Sequence, residues 1–491
     1  MGELSSILYW VLLSSCFSIG HSQDDIPIVS TLSGDVQGTK GETTAGTSFF
    51  QFLAIPYAET PIGNLRFKDP VVISPWTGTL NGSVFSTGCT QVSEGALEGS
   101  EDCLYLNIWT PGISTKSLKA VMIWIHGGGF SSLDGKINPE FFMDEDVVIV
   151  SMNYRLGPFG FLAVEGSAEL TGNIGLKDQQ EAIQWVNRNI QYFGGDPDKV
   201  TLFGESAGAV SVHAHILSPR IGNLFQGAIL QSGAALMMYT LYFNVNGAQN
   251  AQKVYLGRIG CDVADVMGCI KDMDVDKIME IGSTDAVDAI LFPFWLVQDS
   301  ASLSPVLPEN PLQVLMAGKM KKIPLIVGIT KDDGGLAVMV DQRWKPSFES
   351  GKTSDMAAPM GLIGSSEENI IIATIFRRFY FSEGNFAENE ENIMEQSTDT
   401  YFGSPAAELS KFHSKVAPVF PFVLNQRCTD FSISALLEPR KMTGCSMVMI
   451  CSAFSSHFQH SGLSQSLARR PAKPWSNPGQ TLPSFKIPQV S

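Results

Sequence analysis

Short apolar runs rich in β-branched residues alternate with helical patterns through the first two thirds of the chain, and this alternation limits the fold more than any other feature. The runs read as buried strands and occupy residues 120–125, 146–154, 199–203, 227–233 and 323–330. Helical patterns such as residues 175–193 lie between them. Strands that alternate with helices imply a parallel arrangement with both faces covered. The sequence therefore predicts an α/β fold with a mainly parallel central β-sheet flanked by helices.

The composition bounds the class of protein. Of 491 residues, 44% are hydrophobic and 17% are charged, which is typical of a globular chain with a sizeable core. Large α/β folds reach this length as one unit. The formal net charge of −16 disfavours nucleic acid and anionic membranes as partners. It also suits steering of cationic or neutral substrates, although an acidic balance more often reflects only a solvated surface.

The two ends of the chain differ from its middle. Residues 1–22 contain an apolar stretch that is too short for a membrane span and is followed by small residues and "QDD", so they are predicted to be a cleaved signal peptide. A basic residue is missing near the start, where Glu3 stands. Residues 465–491 are proline-rich and aperiodic, and are predicted to be an irregular tail. The domain itself is expected over 23–464, in a secreted, extracellular product without a membrane anchor.

Cysteine and asparagine patterns fit that compartment. The pairs Cys89–Cys103 and Cys261–Cys269 each close a short loop and are predicted to be disulfides. Asn81 in "NGS" is the one N-glycosylation sequon, and an unused sequon is the alternative. Three further cysteines have no evident pairing: Cys428, Cys445 and Cys451.

The chemistry centres on "FGESAGAVSV", in which glycines flank Glu205, Ser206 and Ala207 after a strand and before a helix. A nucleophile exposed on a strained strand-to-helix turn needs small neighbours, because the backbone there is crowded. The helix that follows points its N-terminus at an oxyanion forming beside Ser206. The pattern alone is weak in a chain with 46 glycines, and the surrounding strand and helix strengthen it.

A second glycine-rich stretch, "WIHGGGF" at 124–130, follows another strand. Successive glycines let backbone N–H groups approach a substrate oxygen without interference from a Cβ atom. The alternative interpretation is a glycine-rich turn without a function. The nucleophile motif elsewhere in the chain disfavours that alternative.

Several long motifs occur in a characteristic order and are listed here: "EDCLYLNIWTP" (101–111), "HGGGF" (126–130), "NYRLGPFGFL" (153–162), "GNIGLKDQQ" (172–180) and "FGESAGAVSV" (203–212). In this order the chain resembles the type-B carboxylesterases, the cholinesterase-like α/β-hydrolases, over about residues 27 to 440. The resemblance implies the α/β-hydrolase fold, an acyl-enzyme on Ser206, and no metal or organic cofactor. It also implies an oxyanion hole from Gly128, Gly129 and Ala207.

The resemblance further implies two structural ion pairs, Arg66 with Glu101 and Arg155 with Asp178, for which pairs of solvated charges are the alternative. The triad acid follows a strand in "IVGITKDDGG", where Asp333 takes the position that is usually a glutamate and Asp332 is the fallback. Its role would be to orient an imidazole and stabilise the imidazolium.

No histidine stands where the resemblance places the general base, near Ser446 in "TGCSMVMICSAF" (443–454). The chain has seven histidines, and none has the expected flanks: His21, His126, His213, His215, His413, His457 and His460. In the reading frame that starts one base earlier, the codons of Met447 through Ile450 encode Gly, then a residue that is Asp if the Val448 codon is GTG, then Asp. If the Ser446 codon ends in C, the same frame begins with His and reads "H-G-D-D-L". We therefore hypothesise a short frameshift in a divergent C-terminal region, with coincidence as the alternative.

Two functions follow from these features. The first is a secreted carboxylic ester hydrolase impaired by the missing base, because a serine at its ordinary pKa is a poor nucleophile. The second is an esterase-like binding or sequestering protein that is catalytically weak or dead. The short Cys89–Cys103 loop contains no tryptophan to bind a cation, which disfavours choline esters and favours lipid-like or xenobiotic esters. The physiological substrate and the oligomeric state are not encoded in any recognisable pattern.

Overall fold

The computed structural model describes residues 27–237, 247–280, 294–335 and 390–425, apart from positions 94, 165, 166 and 168, together with short pieces between 371 and 381. The predicted signal peptide, the proline-rich tail and residues 443–454 lie outside the described residues. So do the following residues: His21, His457, His460, Cys428, Cys445 and Cys451.

Fourteen strands are described, and their bounds are β1 Ile28–Ser30, β2 Asp35–Gln37, β3 Thr39–Glu42, β4 Ser48–Pro56, β5 Thr79–Asn81, β6 Gln91–Ser93, β7 Ala96–Glu98, β8 Tyr105–Thr110, β9 Lys119–Ile125, β10 Val148–Met152, β11 Gly195–Glu205, β12 Gly227–Gln231, β13 Leu325–Thr330 and β14 Val419–Leu424. The five runs predicted to be strands correspond to β9, β10, β11, β12 and β13.

The described α-helices have the bounds α1 Glu140–Met143, α2 Gly157–Phe161, α3 Ile174–Asn189, α4 Ala207–Leu217, α5 Gly247–Ile259, α6 Val266–Ile270, α7 Val275–Ile278, α8 Pro311–Met316, α9 Glu390–Ser397 and α10 Ser404–His413. A π-helical stretch, Thr398–Gly403, joins α9 to α10. Three 3₁₀ turns complete the set: Gly63–Leu65, Ile190–Phe193 and Val263–Asp265. In this part of the chain no helix is long and apolar enough to cross a membrane.

A nine-stranded sheet forms the centre of the molecule, in the order β14-β13-β12-β11-β9-β10-β8-β4-β3. The six strands from β14 to β10 are parallel, and β8, β4 and β3 continue the sheet in antiparallel pairing. The prediction of a mainly parallel central sheet flanked by helices is confirmed. The antiparallel edge was not predicted, because β4 and β8 lack flanking helical crossovers that would mark them in the sequence.

The core lies around the middle of this sheet. Strand β10 is buried at every residue, and alternate side chains of β9, including Val121, Ile123 and Ile125, have no exposed surface. Helix α3 is buried along most of its length and contributes Trp185 to the same core. Burial at every residue explains why the β10 segment is a continuous apolar run in the sequence.

Candidate active site

Ser206 occupies a sharp turn between β11 and α4. Its backbone has φ 53° and ψ −123°, a conformation that L-residues rarely adopt. The Ser206 N–H donates to the carbonyl of Gln231 at the end of β12 (2.9 Å), and the Ser206 carbonyl accepts from Val210 in the first turn of α4 (2.9 Å). The surrounding structure thus holds a strained residue in place, which is a frequent property of functional positions.

Glycines around this turn are needed for close backbone contacts. A Cβ atom at Gly208 would lie 2.0 Å from the carbonyl oxygen of Ile125, and one at Gly204 would lie 2.5 Å from the carbonyl carbon of Gly208. A Cβ atom at Gly233 would lie 2.4 Å from the carbonyl oxygen of Ser206. Any larger residue at these sites would displace the nucleophile turn from the sheet. The crowding expected from the sequence motif is therefore present, and Gly233 adds a contact that the motif does not contain.

The glycine run after β9 lies against the same turn. A Cβ atom at Gly127 would meet Oε2 of Glu205 at 2.7 Å and Cβ of Ser206 at 3.2 Å. Gly128 and Gly129 have φ of 89° and 61°, so the loop is in a conformation that favours glycine at both positions. This geometry brings the two glycine-rich motifs together.

Backbone N–H groups that could bind an oxyanion remain available beside Ser206. Within the described residues, the N–H groups of Gly128, Gly129 and Ala207 donate to no protein acceptor. Ala207 is the first residue of α4, where N–H groups have no intrahelical partner. Backbone N–H groups that converge on one oxygen stabilise the tetrahedral intermediate of acyl transfer.

Aromatic packing supports the glycine run from below. Phe130 has φ 59° and is fully buried, and its carbonyl accepts from the Gly157 N–H at 2.7 Å. Its ring lies 4.5 Å from that of Phe161 and 4.9 Å from that of Trp295. This packing fixes the end of the loop that carries the free N–H groups.

Asp333 lies in the loop after β13 and is almost completely buried. The Thr330 N–H donates to its Oδ2 (2.9 Å) and the Thr330 hydroxyl to its Oδ1 (2.6 Å). Burial raises the pKa of Asp333 to about 6, while hydrogen bonds from Thr330 and Ser232 oppose that rise and the charge of Asp332 adds to it. Because β11, β12 and β13 are neighbours, Ser206, Ser232 and Asp333 all lie at their carboxyl ends.

The four described histidines are engaged elsewhere. His126 Nδ1 contacts the Gly127 carbonyl (3.0 Å), His213 Nδ1 accepts from the Ala235 N–H (2.9 Å), His215 Nε2 contacts Gln179 Oε1 (2.8 Å), and His413 Nε2 contacts the Ile323 carbonyl (2.8 Å). All four are buried. In the described part of the chain no histidine is hydrogen-bonded to the Ser206 hydroxyl or to the Asp333 carboxylate.

Glu205 immediately precedes the serine, and its sequence context predicts no role for it. Burial, and then the charge of Asp333, raise the pKa of Glu205 to about 8. No cation pairs with it and no hydrogen bond engages its carboxyl group among the described residues. Its position inside the nucleophile motif was visible in the sequence, but the approach of Asp333 from another strand was not.

The other predicted site residues lie outside this centre. Arg155 and Asp178 form a buried bidentate pair, with Nε to Oδ2 at 2.8 Å and Nη2 to Oδ1 at 2.6 Å. Arg66 pairs with Glu101 and also donates to the backbone carbonyl of Met273 (2.7 Å). Both ion pairs link loops and helices around the sheet to each other.

Both predicted disulfides, Cys89–Cys103 and Cys261–Cys269, are formed in the structure. Asn81 ends β5 with its side chain exposed. In the part of the chain that the structure describes, no group of three or more His, Cys, Asp or Glu side chains could hold a metal ion.

A nucleophile turn, a glycine-rich loop and an acid at the carboxyl ends of neighbouring parallel strands together define an α/β-hydrolase. The family model described as "Carboxylesterase family" matches residues 25–477, so the chain belongs to the carboxylesterase family.

Among relatives, the chain is 36% identical over 394 residues to a juvenile hormone esterase of Tribolium castaneum, a match that covers 77% of this chain and 64% of the relative. It is 38% identical over 358 residues to a cholinesterase of Mus musculus, covering 67% and 57%. The matches thus span less than two thirds of the length of these relatives.

Among solved structures, the juvenile hormone esterase of Manduca sexta with OTFP covalently attached superposes with a TM-score of 0.73 at 29% identity, covering 86% of this chain and 82% of that one. A carboxylesterase of Geobacillus stearothermophilus has a TM-score of 0.65 at 28% identity, covering 82% and 80%. These similarities establish the shared fold.

Proposed function

We propose that this chain is a secreted carboxylic ester hydrolase that works through an acyl-enzyme on Ser206, with a rate limited by the absence of the expected histidine near position 446. The observation that carries the proposal is the strained Ser206 turn, which lies against the glycine loop at Gly127, with buried Asp333 following the second strand along the sheet. Gly128, Gly129 and Ala207 supply the oxyanion hole in this proposal.

In the proposed reaction, the Ser206 Oγ attacks the ester carbonyl carbon and the negative charge develops on the carbonyl oxygen. Backbone N–H donors already oriented towards that oxygen lower the barrier without reorganisation, which is commonly the largest single catalytic contribution. Collapse of the intermediate expels the alcohol and leaves the acyl group on Ser206. Water then releases the acid. Asp333 would orient an imidazole wherever one is present.

The proposed substrates are small esters with lipid-like or xenobiotic acyl or alcohol groups. Two observations support this class: the Cys89–Cys103 loop has no tryptophan for a quaternary ammonium ion, and the Manduca sexta relative is a juvenile hormone esterase that forms a covalent OTFP adduct. Secretion is supported by the predicted signal peptide and the two disulfides, and glycosylation at Asn81 by its exposed side chain.

A second candidate function is an ester-binding or sequestering protein with little turnover. It is favoured by one observation: the oxygens of Asp333 accept from Thr330, and no described histidine lies against them. Loss of a triad member leaves only about 10³–10⁴-fold acceleration over water. Sequencing the native transcript across codons 440 to 490 distinguishes the two functions. A transcript that encodes "H-G-D-D-L" near 446 restores the general base, whereas one that encodes "CSMVMIC" leaves the chain without it.

Labelling by a fluorophosphonate tests the nucleophile directly. The full-length chain should gain the mass of one phosphonyl group on the peptide that contains Ser206, and Ser206→Ala should abolish the adduct and ester hydrolysis together. Ser117→Ala, at an exposed serine before β9, is the matched control and should react like the parent chain. Labelling that persists in Ser206→Ala would disprove the assignment, and labelling without hydrolysis would favour the sequestering function.

A further inference from the structure

We propose that Glu205 accepts the proton of Ser206 in this chain, through one bridging water, and so acts as the general base for acylation. The inference rests on the proposed function, because it concerns how the same serine is activated.

The side chains of both residues lie against Gly127 in the glycine loop. A Cβ atom at Gly127 would be 2.7 Å from Oε2 of Glu205 and 3.2 Å from Cβ of Ser206, so the carboxyl oxygen and the nucleophile's side chain approach the same point. The Glu205 carboxyl oxygen and the Ser206 side chain therefore approach each other closely beside Gly127. Groups at such a separation can be joined by one water, and a general base can act through a single water.

The carboxyl group of Glu205 can accept further hydrogen bonds, whereas that of Asp333 is already engaged. Both oxygens of Asp333 already accept hydrogen bonds from Thr330, at 2.9 and 2.6 Å. Glu205 has neither a hydrogen bond nor an ion pair among the described residues, so its lone pairs are available to a water. An ionised carboxylate without a cation beside it binds a proton more readily, which is the property that a base requires.

The electrostatic surroundings of Glu205 favour proton uptake. Two titratable groups from other elements interact electrostatically with Glu205: Asp333 in the loop after β13 and Tyr154 in the segment after β10. The ring of His126 stacks on that of Tyr154 at 4.3 Å, and burial lowers the pKa of His126 to about 4, which leaves it neutral. In the described part of the chain no cation pairs with Glu205. A base is most effective when its pKa lies near the working pH, and the raised pKa of Glu205, about 8, satisfies that condition.

The proton and electron balance is simple. As the Ser206 Oγ forms a bond to the carbonyl carbon, its proton passes to the water and a proton of the water passes to the Glu205 carboxylate. When the intermediate collapses, the carbon–oxygen bond to the alcohol breaks and the departing alkoxide takes the proton back from Glu205. With a fluorophosphonate the same transfer accompanies formation of the oxygen–phosphorus bond, and fluoride leaves.

The experiment is the rate of fluorophosphonate labelling of Ser206 between pH 5 and pH 10, measured by intact mass on the full-length chain. We expect the rate to rise with one inflection near pH 8. Glu205→Gln should remove the inflection and lower the rate at pH 9 about 10²-fold, within the range for loss of a general base. Glu205→Asp keeps a carboxyl group and should retain an inflection. Asp198→Asn, at an exposed carboxylate of the same strand, is the matched control.

The double variant His457→Gln/His460→Gln tests an imidazole base. An inflection near 6.5, the ordinary pKa of histidine, that is lost in this double variant and unaffected by Glu205→Gln would overturn the inference while leaving the proposed function intact. Absence of labelling at every pH in the parent chain would instead refute the proposed function, and the role of Glu205 with it. A thermal melt of each variant shows whether a lost rate reflects a lost fold.

Discussion

At the scale of single residues, burial decides what a charged pair contributes to stability. The side chains of Arg155 and Asp178 are 4% and 0% exposed, whereas those of Lys68 and Glu169 are 42% and 53% exposed. Removing one partner of a buried pair leaves an uncompensated charge away from water. An exposed pair loses little, because water and salt already screen it.

We therefore expect Asp178→Asn to lower the free energy of unfolding by about 3–5 kcal/mol. Glu169→Gln is the matched control and should lower it by less than about 1 kcal/mol. Urea denaturation followed by fluorescence measures both. Similar effects of the two substitutions would show that the Arg155–Asp178 pair is not an isolated buried charge pair.

At the scale of elements, the loop that carries the proposed acid depends on the helical stretch 390–413. The Gly334 N–H donates to the Thr398 hydroxyl at 2.8 Å. A Cβ atom at Gly334 would lie 2.1 Å from the carbonyl oxygen of Met394 and 2.3 Å from the backbone nitrogen of Thr398. Neither backbone atom can move without shifting α9 or the π-helical stretch. The position of Asp333 is therefore coupled to these helices.

Gly334→Ala should displace this loop. We expect a loss of about 1–3 kcal/mol in stability, which is typical of overpacking, and slower fluorophosphonate labelling of Ser206. Gly403→Ala, on the π-helical stretch, is the matched control because its added methyl group meets atoms only at 3.5 Å or more. The two variants are compared by thermal melts and labelling rates. Equal behaviour would mean that the loop adapts without moving Asp333.

Elements and site differ in how far the sequence predicts them. The parallel strands β9 to β13 were predicted because short apolar, β-branched runs alternate with helical patterns. Ser206 was found because its turn requires glycines at fixed offsets. The antiparallel strands β4 and β8 carry no such mark. Ser232, Gly233 and the surroundings of Glu205 depend on which strands become neighbours in the sheet, and no local pattern encodes that order.

At the scale of the whole molecule, ionisable groups with shifted pKa values influence how stability varies with pH. Burial lowers the pKa of His213 and of His215 to about 3, and that of His126 to about 4. In each case the unfolded chain binds a proton more tightly than the folded one, so stability is lost as the pH falls from about 6.5 towards those values. The raised pKa values of Glu205 and Asp333 have the opposite effect on stability. At these two groups the folded chain binds a proton more tightly than the unfolded one, so their contribution to stability is lost as the pH rises.

Each of these three histidines makes its own contribution to the stability that is lost as the pH falls below about 6.5. His215→Gln isolates one contribution, because a glutamine amide can still donate to Gln179, the residue that His215 contacts at 2.8 Å. At about 1.36 kcal/mol per pH unit, the stability lost between pH 7 and pH 5 should shrink by roughly 2 kcal/mol in this variant. Ser117→Ala should follow the parent chain. Urea denaturation at each pH measures the difference, and an unchanged pH dependence in His215→Gln would mean that His215 takes up its proton without unfolding the core.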